Sequence, residues 1–288
     1  MNMFSNVIAG CMSWGKWGKN LSTSEIQTLI NYCIEIGIST FDHADIYGDY
    51  STESDFGKAM KDMSLNRSDF ELISKCGIQY VGNARSNKIK HYNYSKEYIL
   101  WSVDKSLKDL NSEYLDLLLL HRPSPLLEVD EVAQAFDKLK SNGKVKAFGV
   151  SNFTASQIDL LKTETTIDYN QIESSITHLN PFFDGTLDYM RTHQIGVMAW
   201  SPLGKVFKEK SDRNDRLMAI IKRLKETYNA SEDQLILAWL MQHPAYITPV
   251  VGTTNKDRLK NALAAKDIKL DIEDWFSLLV ASQGHKVP

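Results

Sequence analysis

Thr40-Phe-Asp-His-Ala-Asp-Ile-Tyr-Gly48 opens as a short apolar strand and breaks off at Asp42. Five residues further on it sets a phenol, Tyr47, against a glycine. Asp and Tyr are uncommon choices for a plain connecting loop. Lys75 and His121 follow apolar strands in the same way later in the chain. The fold is read from that recurrence.

Working outward, strands and helices alternate. Val7–Cys11 reads as a strand. Ser22, with Glu25 three residues on, is a capping box before the stripe Ile26, Leu29, Ile30, Cys33 and Ile34, which Gly37 stops. Thr40–Asp42 is the second strand, with a helix at Thr52–Lys61. Phe70–Ser74 is the third, followed by a long polar loop, Gly77–Tyr94, and a helix whose apolar face is Ile99, Val103, Leu107 and Leu110. Leu115–Leu120 has the composition of a strand buried on both faces.

The second half repeats the pattern. A helix at Val132–Leu139, ended by Gly143, precedes a strand at Val145–Val150; a helix at Ser156–Leu161 precedes one at Tyr169–Ile172. The helix Leu187–His193 leads to the strand Val197–Trp200. Helices at Leu217–Tyr228 and, capped by Ser231, Leu235–Gln242 lead to the eighth strand, Ile247–Val251. Asp257–Ala264 and Asp271–Ser282 close the chain as helices. Eight strands alternating with helices require parallel pairing, and the count favours a closed barrel over an open sheet. No Gly-x-Gly-x-x-Gly follows the first strand, where an open dinucleotide-binding sheet places it. The expectation is an α/β chain, residues 1–288 forming a single (β/α)8 TIM barrel with an extra C-terminal helix.

Composition bounds the function. With 43% hydrophobic and 24% charged residues the 288-residue chain is an ordinary folded protein. A net charge of −3 gives no attraction to nucleic acid or to an anionic membrane. No signal-peptide pattern and no membrane-spanning apolar run is read, and Cys11, Cys33 and Cys76 have no metal-ligand spacing, so reduced thiols in the cytoplasm are expected. His43 and Asp45 near His121 lack the His-x-His or Glu-x-x-His spacing of a metal site, and no metal is expected.

In a barrel of this kind chemistry sits where strands end. Those positions give Asp42, Tyr47, Lys75 and His121. A tyrosine pKa of roughly 10 is high for proton donation near neutrality. A neighbouring ammonium lowers it, a carboxylate holds that ammonium charged, and an imidazole can donate to a carbonyl oxygen as charge develops. Cys76, beside Lys75, reads as a small buried hydrophobe.

Asp42-x-x-x-x-Tyr47-Gly, Lys75 in Ser-Lys-Cys-Gly and His121 in Leu-Leu-Leu-Leu-His-Arg-Pro resemble the catalytic tetrad of the aldo-keto reductases. Gly149-Val-Ser-Asn-Phe, Trp200-Ser-Pro-Leu-Gly and Val251-Gly-Thr-Thr with Arg258 extend the resemblance, as do Trp275-Phe276 and Val287-Pro288, toward a bacterial branch. The resemblance implies NADPH-dependent reduction of an aldehyde or ketone, with NADH as the weaker alternative cofactor. Tyr47 is then the proton donor, Lys75 and Asp42 tune it, and His121 orients the carbonyl.

By the same resemblance Ser151, Asn152 and Gln171 meet the carboxamide of the nicotinamide, and Trp200 stacks on its ring in place of the usual tyrosine. Ser201, Pro202, Leu203, Gly204, Gly252, Thr253, Thr254, Lys256 and Arg258 are expected along the rest of the cofactor. Trp14, Tyr80 and Tyr92 are expected at the substrate pocket, and Trp17, Phe182 and Phe183 in loops at the mouth. The chain departs from its relatives in starting almost at the first strand, without a hairpin to plug the barrel bottom. Asn255 stands where a lysine is common, and Asn261-Ala262 where many members have Glu-Asn. A small carbonyl compound is the expected partner, with the chain a monomer or weak homo-oligomer. The rival reading is a cofactor-binding regulatory subunit with little physiological turnover.

Overall fold

The computed structural model describes residues 3–288. Eight parallel strands close into a barrel: β1 (Ile8–Gly10), β2 (Thr40–Asp42), β3 (Glu71–Cys76), β4 (Leu115–Leu120), β5 (Val145–Ser151), β6 (Tyr169–Glu173), β7 (Gly196–Trp200) and β8 (Thr248–Val251). Each strand pairs with its sequence neighbours, and β8 closes on β1 through Ile8↔Val250 and Ala9↔Val251. The expected fold is the observed one.

The helices form where their signals stand. Ser22 and Glu25 make both halves of the capping box at the head of α1 (Thr23–Glu35). Ser231 does the same with Gln234. Ile26, Leu29, Ile30 and Cys33 bury their shared face against the barrel. Every residue of β4 is buried, as its composition required. Its one acid, Asp116, accepts from Arg67 at 2.7 Å, from Lys146 at 3.0 Å and from the Leu72 amide at 2.9 Å, which satisfies the buried charge.

Inside the barrel Ile8, Ile73, Leu117, Leu119, Ala147, Met198 and Val250 interlock. A Cβ at Gly149 would stand 2.4 Å from the Tyr169 carbonyl oxygen, so β5 can approach β6 only with glycine there. Among the described residues, Phe4 closes the bottom of the barrel. Phe4 turns into the barrel, 6% exposed, with its ring edge-on to Tyr169 at 5.0 Å.

The polar loop Gly77–Tyr94 is more ordered than its composition suggests. Ile78–Gln79 pairs antiparallel with His91–Tyr92, which folds the segment into a hairpin standing over the mouth. Two-residue strands leave no alternation to read.

Phe4→Ala is expected to lower the unfolding free energy by about 3 kcal/mol through the cavity left at the barrel floor. Urea denaturation of the two proteins measures it; an unchanged midpoint would deny Phe4 the role of a plug.

Candidate active site

Strand register assembles the site. Asp42 pairs with Ile73, so Asp42 and Lys75, one strand over and two residues on, face the same side. The Lys75 ammonium lies 2.7 Å from each Asp42 oxygen, 2.8 Å from the His43 carbonyl oxygen and 3.1 Å from the Tyr47 hydroxyl. Burial would push the Lys75 pKa down, but Asp42 and Tyr47 together hold it above the ordinary value. The amine is charged.

Tyr47 reaches it from an unusual turn. Gly48, Asp49 and Tyr50 all have positive φ, at 62°, 56° and 65°. For the two non-glycine residues that costs on the order of 1–3 kcal/mol each. Partners hold them: the Asp49 carboxylate accepts from the Asn83 amide at 2.8 Å, and the Tyr50 hydroxyl accepts from the Tyr80 amide at 2.9 Å. Both partners belong to the hairpin, so the hairpin helps aim Tyr47. Burial raises the Tyr47 pKa above its ordinary value, although Lys75 pulls the other way. The sequence expectation of a lowered pKa is therefore corrected: the ammonium acts as expected, and loss of water outweighs it. Because Lys75 donates to the Tyr47 oxygen, the phenolic hydrogen points elsewhere, and it meets no protein acceptor among the described residues.

His121 completes the group, its ring edge-on to Tyr47 with centroids 6.1 Å apart. Burial, then the charges of Lys75, Arg122 and Lys90, hold its pKa well below the ordinary histidine value, so the imidazole is neutral. His43 is a different kind of histidine. It is buried edge-on against Phe56 at 4.5 Å, and burial followed by Lys75 lowers its pKa to about 3. Burial raises the Cys76 thiol well above the ordinary range, in keeping with an inert side chain.

The expected cofactor residues lie on successive strand ends. Asn152, with φ 61°, accepts from the Trp200 indole N–H at 2.9 Å and donates to Ser151 Oγ at 2.8 Å, while Ser151 donates to the Gln171 carbonyl at 2.9 Å. The chain of bonds fixes the half-buried Trp200 ring. Gln171 donates its amide to Asp42 at 2.9 Å, a link the sequence did not reveal, and its side-chain oxygen has no partner among the described residues. In the turn Ser201–Gly204 both end residues have positive φ, and a Cβ on Gly204 would strike Thr177 Oγ1 at 2.0 Å. Gly252 has open space where a side chain would stand.

Asn255 has a structural reason. It caps the helix Lys256–Ala264 by accepting from the Arg258 amide at 3.0 Å. Lys256 extends over the Tyr32 ring at 5.0 Å, and Arg258 is exposed at the start of the same helix.

The pocket aromatics divide. Trp17 packs edge-on to Tyr47 at 6.3 Å and Tyr80 at 5.0 Å, making one wall beside the phenol. Tyr92 packs on the same small cluster. Trp14 does not belong to it: it is buried in the core against Phe41 and Phe56, so that expectation is corrected. Phe182 likewise turns outward onto Trp239 and His243, and Phe183 is exposed. An aromatic ring in a loop gives no sequence signal of which way it folds.

Sequence reading also missed a buried acidic cluster behind the site. Glu53 accepts from Ser74 at 2.6 Å and Ser106 at 2.9 Å; Asp45 accepts from Ser102 and Tyr98, each at 3.2 Å. Arg85 of the hairpin donates to Tyr98 at 2.8 Å and lies on the Tyr50 ring at 3.7 Å. The only cue was Asp45 inside the opening stretch.

A family model described as the aldo/keto reductase family matches residues 6–279. The chain belongs to that family. The uncharacterised oxidoreductase YcsN of Bacillus subtilis is 43% identical, over 99% of this chain and 96% of that protein. The 6-dehydroglucose reductase of Agrobacterium fabrum is 37% identical, over 95% and 94%. An aldo/keto reductase from Klebsiella pneumoniae, solved with NADP and acetate, shares the fold with a TM-score of 0.80 at 22% identity, over 96% of this chain and 90% of that one.

Burial raises the Glu53 carboxyl from 4.5 to about 7. Between about pH 4.5 and 7 the unfolded chain gives up this proton while the folded chain keeps it, so stability falls as pH rises through that window and levels off above it. Glu53→Gln is expected to flatten that fall by on the order of 3 kcal/mol. Urea unfolding near each end of the window measures it; parallel profiles for the two proteins would exclude Glu53 as the source.

Proposed function

We propose that this chain is an NADPH-dependent reductase of aldehydes or ketones, with Tyr47 as proton donor. One observation carries the reading: Lys75 donates to the Tyr47 oxygen, which leaves the phenolic hydrogen free beside a neutral His121. The residues present fit the cofactor. Trp200 offers a fixed ring face and Gln171 a free amide oxygen for the carboxamide, while the bare backbone at Gly252, the Thr253 and Thr254 hydroxyls, and the exposed Lys256 and Arg258 at a helix N-terminus suit phosphate groups. The Ser201-Pro202-Leu203-Gly204 turn would lie along the cofactor between these two ends.

When bound, the reduced nicotinamide supplies hydride for the carbonyl carbon. His121, neutral, donates a hydrogen bond to the carbonyl oxygen as negative charge develops. Tyr47 gives that oxygen its proton, and Lys75 stabilises the phenolate left behind. Asp42 keeps Lys75 charged, and Gln171 and the His43 carbonyl hold that pair in place. The relative named as a 6-dehydroglucose reductase supports carbonyl reduction as the reaction class. Turnover of a simple aromatic aldehyde with NADPH separates this reading from a regulatory cofactor-binding subunit.

Tyr47→Phe is expected to lose roughly 10²–10⁴-fold in turnover with cofactor affinity nearly unchanged; a mutant close to the parent would sink the assignment. The raised Tyr47 pKa keeps the donor protonated, so reduction should stay level from about pH 6 to 9 and fall only where the phenol ionises. Alcohol oxidation, which needs the phenolate, should climb through that alkaline limb. Lys75→Met raises the Tyr47 pKa further and should move the limb upward; superimposable pH–rate profiles would remove the tuning role.

The 2′-phosphate adds nearly two charges, and Asn255, occupied as a helix cap, adds no cation to meet them. NADPH should be preferred over NADH, less strongly as salt rises because the contact is exposed. Arg258→Ala is expected to weaken NADPH binding roughly tenfold and NADH binding less. An equal loss for both, measured at low salt, would place the arginine on the adenine instead.

A further inference from the structure

The barrel mouth carries positive charge that the proton-transfer chemistry does not use. Arg122 follows His121 directly at the end of β4. Its backbone is clamped by the Tyr94 hydroxyl, which accepts from the Arg122 amide at 3.0 Å and donates to its carbonyl. The half-buried guanidinium lies 5.4 Å from the centre of the Trp200 ring. Among the described residues it makes neither a hydrogen bond nor an ion pair. Glu173, the register partner of Trp200, faces His178 at 4.0 Å instead.

Lys90, exposed on the hairpin loop, immediately precedes His91 of the hairpin's paired strand. Both cations act on His121 in the same sense, adding to burial and Lys75 in lowering its pKa. In a chain of net charge −3 this concentration of cations is not the general surface.

A planar guanidinium with free N–H groups matches an oxyanion, a carboxylate best of all, through two parallel hydrogen bonds. The indole beneath it stabilises the cation while shielding one face from water. The alternative ligand inside the protein's own chemistry is a cofactor phosphate. The guanidinium lies over Trp200, the residue assigned to the nicotinamide end of the cofactor, and not against Gly252–Arg258, the residues suited to its phosphates.

We propose that Arg122, assisted by Lys90, selects carbonyl substrates that carry an oxyanion, foremost a carboxylate, within a few bonds of the reacting carbonyl. The proposal rests on the reductase reading of the same site. Arg122 takes the anion while His121 and Tyr47 take the carbonyl oxygen. Lys90 is exposed and acts at longer range, which makes its share dependent on salt.

The experiment compares oxo-acids with their own esters, which changes charge and little else: 4-oxobutanoate against its methyl ester, and glyoxylate against ethyl glyoxylate, each with NADPH. A third arm, glyceraldehyde 3-phosphate against glyceraldehyde, distinguishes a phosphate from a carboxylate. The acid should exceed its ester in kcat/KM by roughly tenfold or more, and Arg122→Met should collapse that ratio, chiefly through KM, while the NADPH dissociation constant stays put. Lys90→Met should reduce the ratio less, and only at low salt.

Ester reduction without any preference for the acid overturns this proposal and leaves the reductase reading standing. A ratio unchanged in Arg122→Met also overturns it, and a loss confined to NADPH affinity would assign the arginine to the cofactor. Direct titration of butanoate, followed by tryptophan fluorescence, decides the matter even if no substrate turns over. Saturable binding lost in Arg122→Met supports the proposal, and equal binding in both proteins refutes it.

Discussion

Lys75 carries a full positive charge where water is excluded, and taking such an ion out of water costs several kcal/mol. Two carboxylate oxygens at 2.7 Å and a carbonyl oxygen at 2.8 Å answer that cost. The geometry tolerates little error. A one-residue slip between β2 and β3 would turn Lys75 to the opposite face and leave Asp42 buried alone. The register of these two strands is therefore fixed by electrostatics as well as by packing. Tyr47 depends on the same pair, because the ammonium occupies its lone pair and so directs its proton outward. The left-handed turn at Gly48–Tyr50 delivers the phenol to that ammonium, and the hairpin holds the turn.

The alternation of strands and helices was legible because both kinds of element announce themselves chemically. Fully buried parallel strands are near-continuous apolar runs, as in Leu115–Leu120, and helix starts are marked by caps, as at Ser22 and Ser231. The tetrad was legible for a related reason: a barrel puts strand ends together, so Asp42, Tyr47, Lys75 and His121 could be grouped from order alone. What escaped belongs to the third dimension. Trp14 reads like a mouth aromatic but folds back onto Phe41 and Phe56. Gln171 reads like a cofactor ligand, yet one end of it braces Asp42. Asn255 looked like a missing cation and is a helix cap. None of these choices alters periodicity, so none leaves a trace in the pattern.

Two groups of carboxylates lie behind the same pair of strands and differ in what faces them. Asp42 meets an ammonium and holds it charged. Asp45 meets two hydroxyls and the more distant Arg85, and Glu53 meets hydroxyls alone, so burial dominates and their pKa values rise to about 6 and about 7. Below about pH 6 both carry protons and add no negative charge behind Tyr47. The charge there is then a balanced pair, Lys75 with Asp42, beside a neutral imidazole. On the proposed reading, negative charge that develops on a carbonyl oxygen there has no unpaired anion to oppose it, and it meets two hydrogen-bond donors that cost no reorganisation. The same balance leaves Arg122 and Lys90 as the cations at the mouth without a carboxylate of the protein's own within ion-pair distance among the described residues. On the proposed reading the site discriminates by charge at its rim and by proton placement at its floor, and the two functions rest on different residues.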